Sequence, residues 1–327
     1  MDLALYHPEG GYYATPGRRV GRHGDFYTSV SAGPLFGKIL ALHLAPVLSG
    51  MDGPLRILEL GAHDGSLARD VLEALATDAP QLIDRLEYAI IEPLEALALR
   101  QRERLAGLPA RIVADPSQLE PRAGVLVANE LIDALSCHLV ESTGDGWQEI
   151  GVGLASDRFT WKPLGNADPE LVRHLPARPA GYRTEVRPFL AEFLRPLRPL
   201  VSPGRLLFFD YGFERAEYLD PARAEGTLRT YCEHRSGDDP LDAPGTRDIT
   251  AHVEFTSLRE ALESLGGEVV RFENQSRFLT AAARPWLLGL EGRTDAATAK
   301  LLRNFQTLTH PGHLGSRFHV MEARFGP

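Results

Sequence analysis

The chain has 327 residues, of which 43% are hydrophobic and 24% charged, and its formal net charge is −9. This length can bury a large core in one or two domains, whereas the negative charge disfavours a nucleic-acid partner bound through its phosphates. The two cysteines form no disulfide framework and no metal motif, and no apolar run is long enough to insert into a membrane.

Residues 1–53 are predicted to form an N-terminal arm and a helix. The first thirty residues are rich in glycine and tyrosine and lack helical or strand periodicity, which suits an arm packed on the main domain or a flap over a ligand. In the flap, Asp25 and Thr28 are expected to contact a cofactor. An apolar helix follows at 34–44, with Ser31 as a possible cap. Because the start lacks a signal-peptide pattern, we expect a cytoplasmic protein.

A strand, a glycine turn and a helix follow one another from residue 57. The apolar run 57–60, interrupted by Glu59, indicates a buried strand, and a helical pattern covers 66–76. Between them, Gly61 and Gly65 permit a tight turn and a close approach of backbone to a ligand. This order predicts a cradle for a small polar ligand, although a plain strand-to-helix connection has a similar pattern.

Three further short strands are predicted, and a polar residue follows each of them. These residues are Glu92, Asp115 and the pair Asn129-Glu130. Carboxyl ends of parallel strands meet at one edge of a sheet, where an acid after the second strand can accept two ribose hydroxyls. The alternation of strands with helices predicts an α/β fold, a Rossmann-like doubly wound sheet with helices on both faces.

The α/β domain is predicted to comprise residues 54–140 and 200–327. Residues 141–199 between them are predicted as an inserted substrate-side subdomain, with short antiparallel strands followed by a proline-dense, mostly helical stretch. A buried strand then ends at Asp210. The last two strands, at 268–272 and 318–323, are predicted to be the reversed edge strands of the sheet.

Eight segments, in this order along nearly the whole chain, resemble the class I S-adenosylmethionine-dependent methyltransferases, and more narrowly the MidA-like family. The segments are Tyr6-His7-Pro8-Glu9-Gly10-Gly11-Tyr12-Tyr13, Gly24-Asp25-Phe26-Tyr27-Thr28-Ser29, Leu58-Glu59-Leu60-Gly61, Asn129-Glu130-Leu131-Ile132-Asp133-Ala134-Leu135, Gly146-Trp147-Gln148-Glu149, Phe209-Asp210-Tyr211-Gly212, Gly226-Thr227-Leu228-Arg229 and Asp248-Ile249-Thr250-Ala251-His252-Val253-Glu254-Phe255. Mitochondrial members of this family are complex I assembly factors that methylate an arginine of a core subunit. In one place the chain departs from the family, because His63 replaces the middle glycine of the turn.

The resemblance implies a set of cofactor contacts. Glu92 is expected to hold the ribose hydroxyls, and Gly61 and Gly65 to line the methionine part. Glu59 is expected to meet the ammonium group, or else to be a structural acid. Asp115 is expected to accept from the adenine amine, or else to lie in a surface turn.

The resemblance also implies a substrate side. Glu130 is expected to hold a guanidinium, with Asp133 as its support and Asn129 beside them; the alternative for Glu130 is a helix cap. Asp248 and His252 are expected to form a second substrate wall, and their spacing also suits a cap. No metal is expected, because the acids lack dense ligand spacing.

The implied function is transfer of a methyl group from S-adenosylmethionine to an arginine of a protein partner, such as a respiratory complex I-type subunit. A small-molecule O- or N-methyltransferase is a first alternative, and it requires a narrow, closed apolar pocket. A second is a non-catalytic assembly chaperone that keeps the fold, which His63 in the glycine turn makes thinkable. The oligomeric state is not predicted.

Overall fold

A computed structural model describes residues 1–15, 29–232, 235–310, 312 and 314–326. Its strands are β1 (Leu55–Leu60), β2 (Leu86–Ile91), β3 (Ala110–Val113), β4 (Ala123–Asn129), β5 (His138–Ser142), β6 (Trp147–Ala155), β7 (Arg158–Asn166), β8 (Arg183–Val186), β9 (Gly204–Phe213), β10 (Arg229–Cys232), β11 (Arg235–Gly237), β12 (Asp248–Thr250), β13 (Val253–Glu254), β14 (Glu268–Asn274) and β15 (Phe318–Phe325). Its helices are α1 (Asp2–Tyr6), α2 (Leu35–Ser49), α3 (Ser66–Asp78), α4 (Pro80–Ile83), α5 (Glu95–Arg104), α6 (Pro169–Val172), α7 (Leu190–Leu194), α8 (Arg215–Tyr218), α9 (Phe255–Ser264), α10 (Gln275–Ala282), α11 (Arg284–Leu288) and α12 (Ala296–Thr309).

The main sheet has the order β14-β15-β9-β4-β1-β2-β3, and β13 pairs with β9. Strands β1 to β4 and β9 run parallel, so their carboxyl ends share one edge. At this edge Leu60 lies opposite Ile91 on one side and Ala128 on the other. The predicted α/β fold is therefore confirmed, and the polar residues that follow these strands are neighbours.

Side chains of β1 alternate between two apolar layers, as the period of two in a strand requires. Leu55 and Ile57 belong to the core cluster that includes α2 and α3, whereas Leu58 and Leu60 belong to the cluster that includes α7 and α9. Both faces of the strand are therefore covered by helices, which explains its nearly continuous apolar sequence.

Three predictions about local structure are wrong. Strand β15 is antiparallel to both β9 and β14, so β14 runs with the parallel strands and only β15 is reversed. Residues 166–200 are not mostly helical, because within them the structure has only two short α-helices, one 3-10 turn and β8. Pro34, not Ser31, precedes α2 at its N-terminus.

Two smaller sheets lie outside the main one. Strands β7-β6-β5-β8 form an antiparallel sheet within the stretch between β4 and β9, and β11-β10-β12 form another. The first begins at His138, three residues before the boundary predicted for the inserted subdomain. We refer to this four-stranded sheet and its connections as the inserted subdomain.

The described part of the N-terminal arm packs on the main body of the chain. Leu5 and Tyr12 are buried in one cluster with Ile249. The predicted cofactor contacts Asp25 and Thr28 lie outside the described residues. In the part of the chain that the structure covers, no helix has the length and apolarity to cross a membrane.

Candidate active site

The turn after β1 is built on left-handed backbone. Gly61 has φ +69° and Gly65 has φ +80°, values that favour glycine. A Cβ atom on Gly61 would lie 3.1 Å from Cδ1 of Leu131. The turn therefore favours glycine at residue 61, both for its backbone conformation and because a side chain there would press against Leu131.

His63 has a left-handed backbone with φ +46°, a conformation that glycine adopts more readily than other residues. Its carbonyl oxygen accepts a hydrogen bond of 2.9 Å from Nε2 of Gln101, and burial lowers the pKa of its imidazole. The substitution therefore keeps the turn at a modest cost in backbone strain and adds a neutral ring rather than a cation.

Glu92 follows β2 with its side chain almost fully buried. Its Oε1 accepts from the main-chain N–H of Leu94 at 3.0 Å, and its Oε2 accepts from Nε2 of Gln101 at 3.0 Å. Burial raises the pKa of the carboxyl group, and these two donors oppose the rise. Each oxygen keeps a second lone pair, so the carboxylate can still accept two hydroxyl groups.

Gln101 was missed by sequence reasoning. Its Nε2 bridges the carbonyl of His63 and the carboxylate of Glu92, and so it fixes the glycine turn relative to that acid. A signal existed, because Gln101 lies on the apolar face of α5 with Leu97 and Ala98 and is itself 0% exposed. A buried polar residue on an apolar helix face needs a polar partner.

Glu59 and Asp115 have partners of their own. Glu59 is buried and accepts a hydrogen bond of 2.8 Å from the hydroxyl of Tyr88. Burial raises the pKa of its carboxyl group to about 8. Asp115 caps a short 3-10 turn by accepting from the N–H of Ser117, which lowers its pKa. The ammonium contact of Glu59 and the adenine contact of Asp115 stay predictions.

Glu130 begins a segment, residues 130–135, that we call the acid turn. Its φ is +53°, an unusual value for a residue with a side chain, and such strain is concentrated at functional sites. Its Oε1 accepts from Nδ2 of Asn129 at 3.2 Å and from the N–H of Ser29 at 3.4 Å. Burial, then the charge of Asp133, raises its pKa to about 8. The helix-cap alternative is wrong, because turns and not a helix follow Glu130.

Asp210 and Tyr211 of β9 stabilise the acid turn by hydrogen bonds. Oδ2 of Asp210 accepts from the N–H groups of Ile132 at 2.9 Å and Asp133 at 3.3 Å. The hydroxyl group of Tyr211 donates a hydrogen bond to Oδ2 of Asp133. Burial raises the pKa of both acids, and the charge of Asp133 raises that of Asp210 further.

The N-terminal arm covers this turn. Tyr6 donates to the carbonyl of Ala134 at 2.9 Å, and Tyr13 donates to Oδ1 of Asp248 at 2.9 Å. The two tyrosine rings stack with their centroids 5.5 Å apart. Asp248 thus lies at the site, in β12, and does not cap a helix; the cap of α9 is Glu254.

His252 lies edge-on to Tyr211, with ring centroids 5.3 Å apart. Burial, followed by the charges of nearby arginines, lowers its pKa to about 4, so the ring is neutral at physiological pH. Of the predicted substrate wall, His252 therefore contacts the tyrosine that binds Asp133, whereas Asp248 is bound by Tyr13 of the arm. The contact of this wall with a substrate stays a prediction.

The edge of the sheet also holds buried acceptors that lack a partner. Within the described ranges, Oε1 of Gln101, Oδ1 of Asn129 and Oδ1 of Asp133 accept no hydrogen bond. Unsatisfied buried acceptors are costly, and a ligand rich in N–H and O–H donors would satisfy them. The described residues contain no group of three or more His, Cys, Asp or Glu side chains that could hold a metal ion.

A parallel sheet with a glycine turn after its first strand and a buried acid after its second is the arrangement of a Rossmann-like protein that binds a nucleoside cofactor at this edge. Residues 39–272 match the family described as "Putative S-adenosyl-L-methionine-dependent methyltransferase". The chain belongs to this family.

Similar proteins agree with the assignment. A crystal structure of a Burkholderia thailandensis protein bound to S-adenosyl-homocysteine is 32% identical, covers 99% of this chain and 86% of its own, and superimposes with a TM-score of 0.88. A native crystal structure of a protein from the same organism superimposes with a TM-score of 0.86 at 32% identity. The match covers 99% of this chain and 85% of that one. The mitochondrial protein arginine methyltransferase NDUFAF7 of Bos taurus is 25% identical over 98% of this chain and 78% of its own length, as is that of Mus musculus.

The crevice fits S-adenosylmethionine. The bare backbone of Gly61, the free lone pairs of Glu92 and the unpartnered acceptors of Gln101 and Asn129 suit a polar nucleoside with hydroxyl and ammonium donors. We expect Gly61, Gly65 and Glu92 to hold the cofactor, with Glu59 beneath the turn.

Glu92→Ala is expected to weaken binding of S-adenosyl-homocysteine by about 1.5–3 kcal/mol, or roughly 10- to 150-fold in Kd, because charged hydrogen bonds are lost. Isothermal titration calorimetry measures the change. Glu95→Ala is the matched control, because this nearby acid has a side chain 70% exposed and, among the described residues, forms an ion pair with Arg102 alone. Equal Kd values for the two variants would remove Glu92 from the cofactor site.

Proposed function

We propose that this methyltransferase acts on an arginine side chain presented by a protein partner. The observation that carries the proposal is the acid turn, where the half-buried Glu130 lies close enough to the buried Asp133 to be influenced by its charge, and Oδ1 of Asp133 has no partner among the described residues. A guanidinium is planar and cationic and carries five N–H donors. It offers N–H donors for the free oxygen of Asp133 and a positive charge for Glu130.

The proton balance of the reaction fits Glu130. A guanidinium is cationic before and after methylation, so the attacking nitrogen gains a methyl group and releases one proton. When bound, the cofactor supplies a methyl group on a sulfonium, a strong donor that needs no acid catalysis. Glu130, with a pKa of about 8 in the free protein, is suited to accept the released proton near neutral pH.

Asp133 has a supporting role in the proposal. Tyr211 fixes one carboxylate oxygen, so the other is held in place and free to accept from the substrate. The relatives named as protein arginine methyltransferases support this choice of substrate at about 25% identity. A respiratory complex I-type subunit as partner rests on analogy with the family alone. We also propose that the protein works in the cytoplasm, where its two free cysteines would stay reduced.

A methylation assay tests the substrate. We expect transfer of labelled methyl groups to arginine-bearing peptides or partner proteins, and mass spectrometry should place the label on arginine nitrogens. Peptides with citrulline in place of arginine are the control. Transfer to small molecules but never to arginine would favour the small-molecule alternative, and cofactor binding without any transfer would favour the chaperone.

Binding of the arginine peptide is expected to release protons. Glu130 is largely protonated at pH 7 because its pKa is raised to about 8, and a bound cation favours its ionised form. The affinity should therefore increase as the pH rises towards 8. Calorimetry in buffers of different ionisation enthalpy should show the release at pH 7, and Glu130→Gln should abolish it. Release unchanged by Glu130→Gln would assign the proton to another group.

A further inference from the structure

Arg187 joins the inserted subdomain to the acid turn. It follows β8 and is 9% exposed. Its guanidinium donates four hydrogen bonds, all to main-chain carbonyl oxygens: those of Asp133 at 3.0 Å and Leu135 at 3.1 Å in the acid turn, and those of Ala251 at 3.1 Å and His252 at 3.0 Å in the segment facing it. One side chain thus fixes the distance between two walls of the site.

The charge of Arg187 is not used in an ion pair. In the residues that the structure describes, no carboxylate oxygen lies within 4.0 Å of its guanidinium nitrogens, although a buried arginine usually has such a partner. Its positive charge nevertheless lowers the pKa of Asp133. The guanidinium can therefore balance the charge of the acid turn while it leaves Oδ1 of Asp133 free for a substrate.

The same strand holds a second part of the site. Two residues before Arg187, Glu185 is 3% exposed and accepts from the N–H of Thr227 at 2.8 Å and from that of Leu228 at 3.1 Å. The hydroxyl of Thr227 in turn accepts a hydrogen bond of 3.0 Å from the N–H of His252. Glu185 and Arg187, at the end of β8, therefore bind the acid turn, residues 227–228 and residues 251–252.

We propose that Arg187 is a positioning residue for methyl transfer, which holds the acid turn and residues 251–252 in register from the inserted subdomain. It does not touch the reacting atoms. This inference rests on the proposed function only in the choice of methyl acceptor used to measure turnover. The inserted subdomain is accordingly part of the active site rather than an attachment to it.

Two substitutions separate geometry from charge. Arg187→Lys keeps the charge but cannot reach four carbonyls, whereas Arg187→Met loses both. We expect Arg187→Met to lower kcat about 100-fold, the effect of a small misplacement of reacting groups, with an unchanged Kd for S-adenosyl-homocysteine. Arg187→Lys should recover part of kcat. A methionine variant with wild-type kcat would overturn the proposal.

The pH dependence of kcat gives a second readout. Loss of the positive charge raises the pKa of Asp133, so the acid limb of the profile should move to higher pH in Arg187→Met and not in Arg187→Lys. Other titratable groups that interact with Asp133 are Glu130, Asp210, Tyr211, Tyr6, Tyr13 and Tyr231. Burial, followed by the charges of Arg223, Arg229 and Arg187, lowers the pKa of His252, so the loss of Arg187 should raise the pKa of this ring as well. Superimposable limbs in both variants would exclude the charge effect.

Arg56 supplies the matched control. It is also buried, at 0% exposure, and it donates to the carbonyls of Glu120 at 2.5 Å and Leu200 at 3.1 Å. Unlike Arg187 it also pairs with Glu87, at 2.7 Å, and it lies opposite Gly124, six residues before the acid turn. Arg56→Met should lower the thermal stability and leave kcat, KM and the pH profile of the folded enzyme unchanged. Equal kcat losses in both methionine variants would show a merely structural role for Arg187.

Hydrogen exchange makes the test independent of the acceptor. In Arg187→Met, amides of residues 130–135 and 250–252 should exchange faster, while those of β1 and β4 keep their rates. If no arginine peptide is methylated by the wild type, the proposed function fails, and the exchange rates still decide the inference. Unchanged rates in both segments would then overturn it.

Discussion

Gly61→Val is expected to weaken the binding of S-adenosylmethionine at least about 100-fold, which corresponds to about 2.7 kcal/mol. The backbone at Gly61 has φ +69°, where a β-branched residue is strained. The new Cβ would also lie 3.1 Å from Leu131, before the two methyl groups are added. Either the turn shifts or the valine occupies the crevice, and both outcomes remove the surface on which the cofactor is expected to lie. Calorimetry with S-adenosyl-homocysteine measures the loss.

Gly53→Val distinguishes strain from obstruction. Gly53 has a similar left-handed φ of +71°, but nothing lies within 4 Å of a Cβ placed there. Its valine variant should show the stability loss of a strained backbone, about 1–3 kcal/mol, with wild-type affinity. If Gly61→Val also bound the cofactor normally, the turn after β1 would not be the cofactor site.

Short-range patterns were sufficient to predict the sheet. Nearly continuous apolar runs indicate strands buried on both faces, and the helical pattern at 66–76 corresponds to α3 (Ser66–Asp78). Polar residues after the strands predicted the functional edge, because parallel strands must end together. Register then places Glu92 and Asn129 on either side of the turn that begins at Gly61.

Long-range partners could not be predicted in the same way. Tyr13 binds Asp248 across 235 positions of sequence, and Arg187 binds the carbonyl of Asp133 across 54. Carbonyl acceptors have no signature in the sequence, so nothing marked Arg187 as different from other arginines. The position of β15 between β9 and β14 was missed for a related reason, since strand order depends on pairings between distant segments.

Hydrogen bonds from neighbouring elements of the fold fix the two carboxyl groups of the acid turn. Glu130 is held by Asn129 and by the N–H of Ser29, while Asp133 is held by Tyr211. Each acid thus has a fixed position, and burial disfavours the charge of both, a cost that Arg187 offsets in part for Asp133. The proposed arginine substrate suits such a site, because a second cation reduces the remaining cost of ionising the carboxyl groups.

Glu130→Gln is expected to lower kcat about 100- to 1,000-fold, because the variant can neither hold the charge of the guanidinium nor accept its proton. The amide keeps the size of the side chain and an oxygen for Asn129 and Ser29, so cofactor affinity should stay within about twofold of wild type, a difference of less than 0.5 kcal/mol. Steady-state kinetics with an arginine peptide that the wild type methylates gives the change in kcat. Calorimetry with the cofactor gives the change in affinity.

The pH profile identifies the proton acceptor. In the wild type, kcat/KM should increase up to about pH 8, because it reports ionisation in the free enzyme and burial raises the pKa of Glu130 to about 8. In the complex the bound cation lowers this pKa, so the limb of kcat should lie at lower pH than that of kcat/KM. Glu130→Gln should lack the limb of kcat/KM near pH 8, while an acid limb set by Asp133 remains.

Glu322→Gln is the control for loss of a buried carboxylate as such. Glu322 is 1% exposed, pairs with His43, Arg205 and Arg271, and lies four residues beyond Phe318, the neighbour of Tyr211 in register. Its variant should be less stable but should keep the kcat and pH profile of the wild type, since none of its partners reaches the acid turn. If Glu130→Gln turned over at the wild-type rate, the guanidinium would have to be held and deprotonated elsewhere. Asp133, with one oxygen free, would be the group to which that role passes.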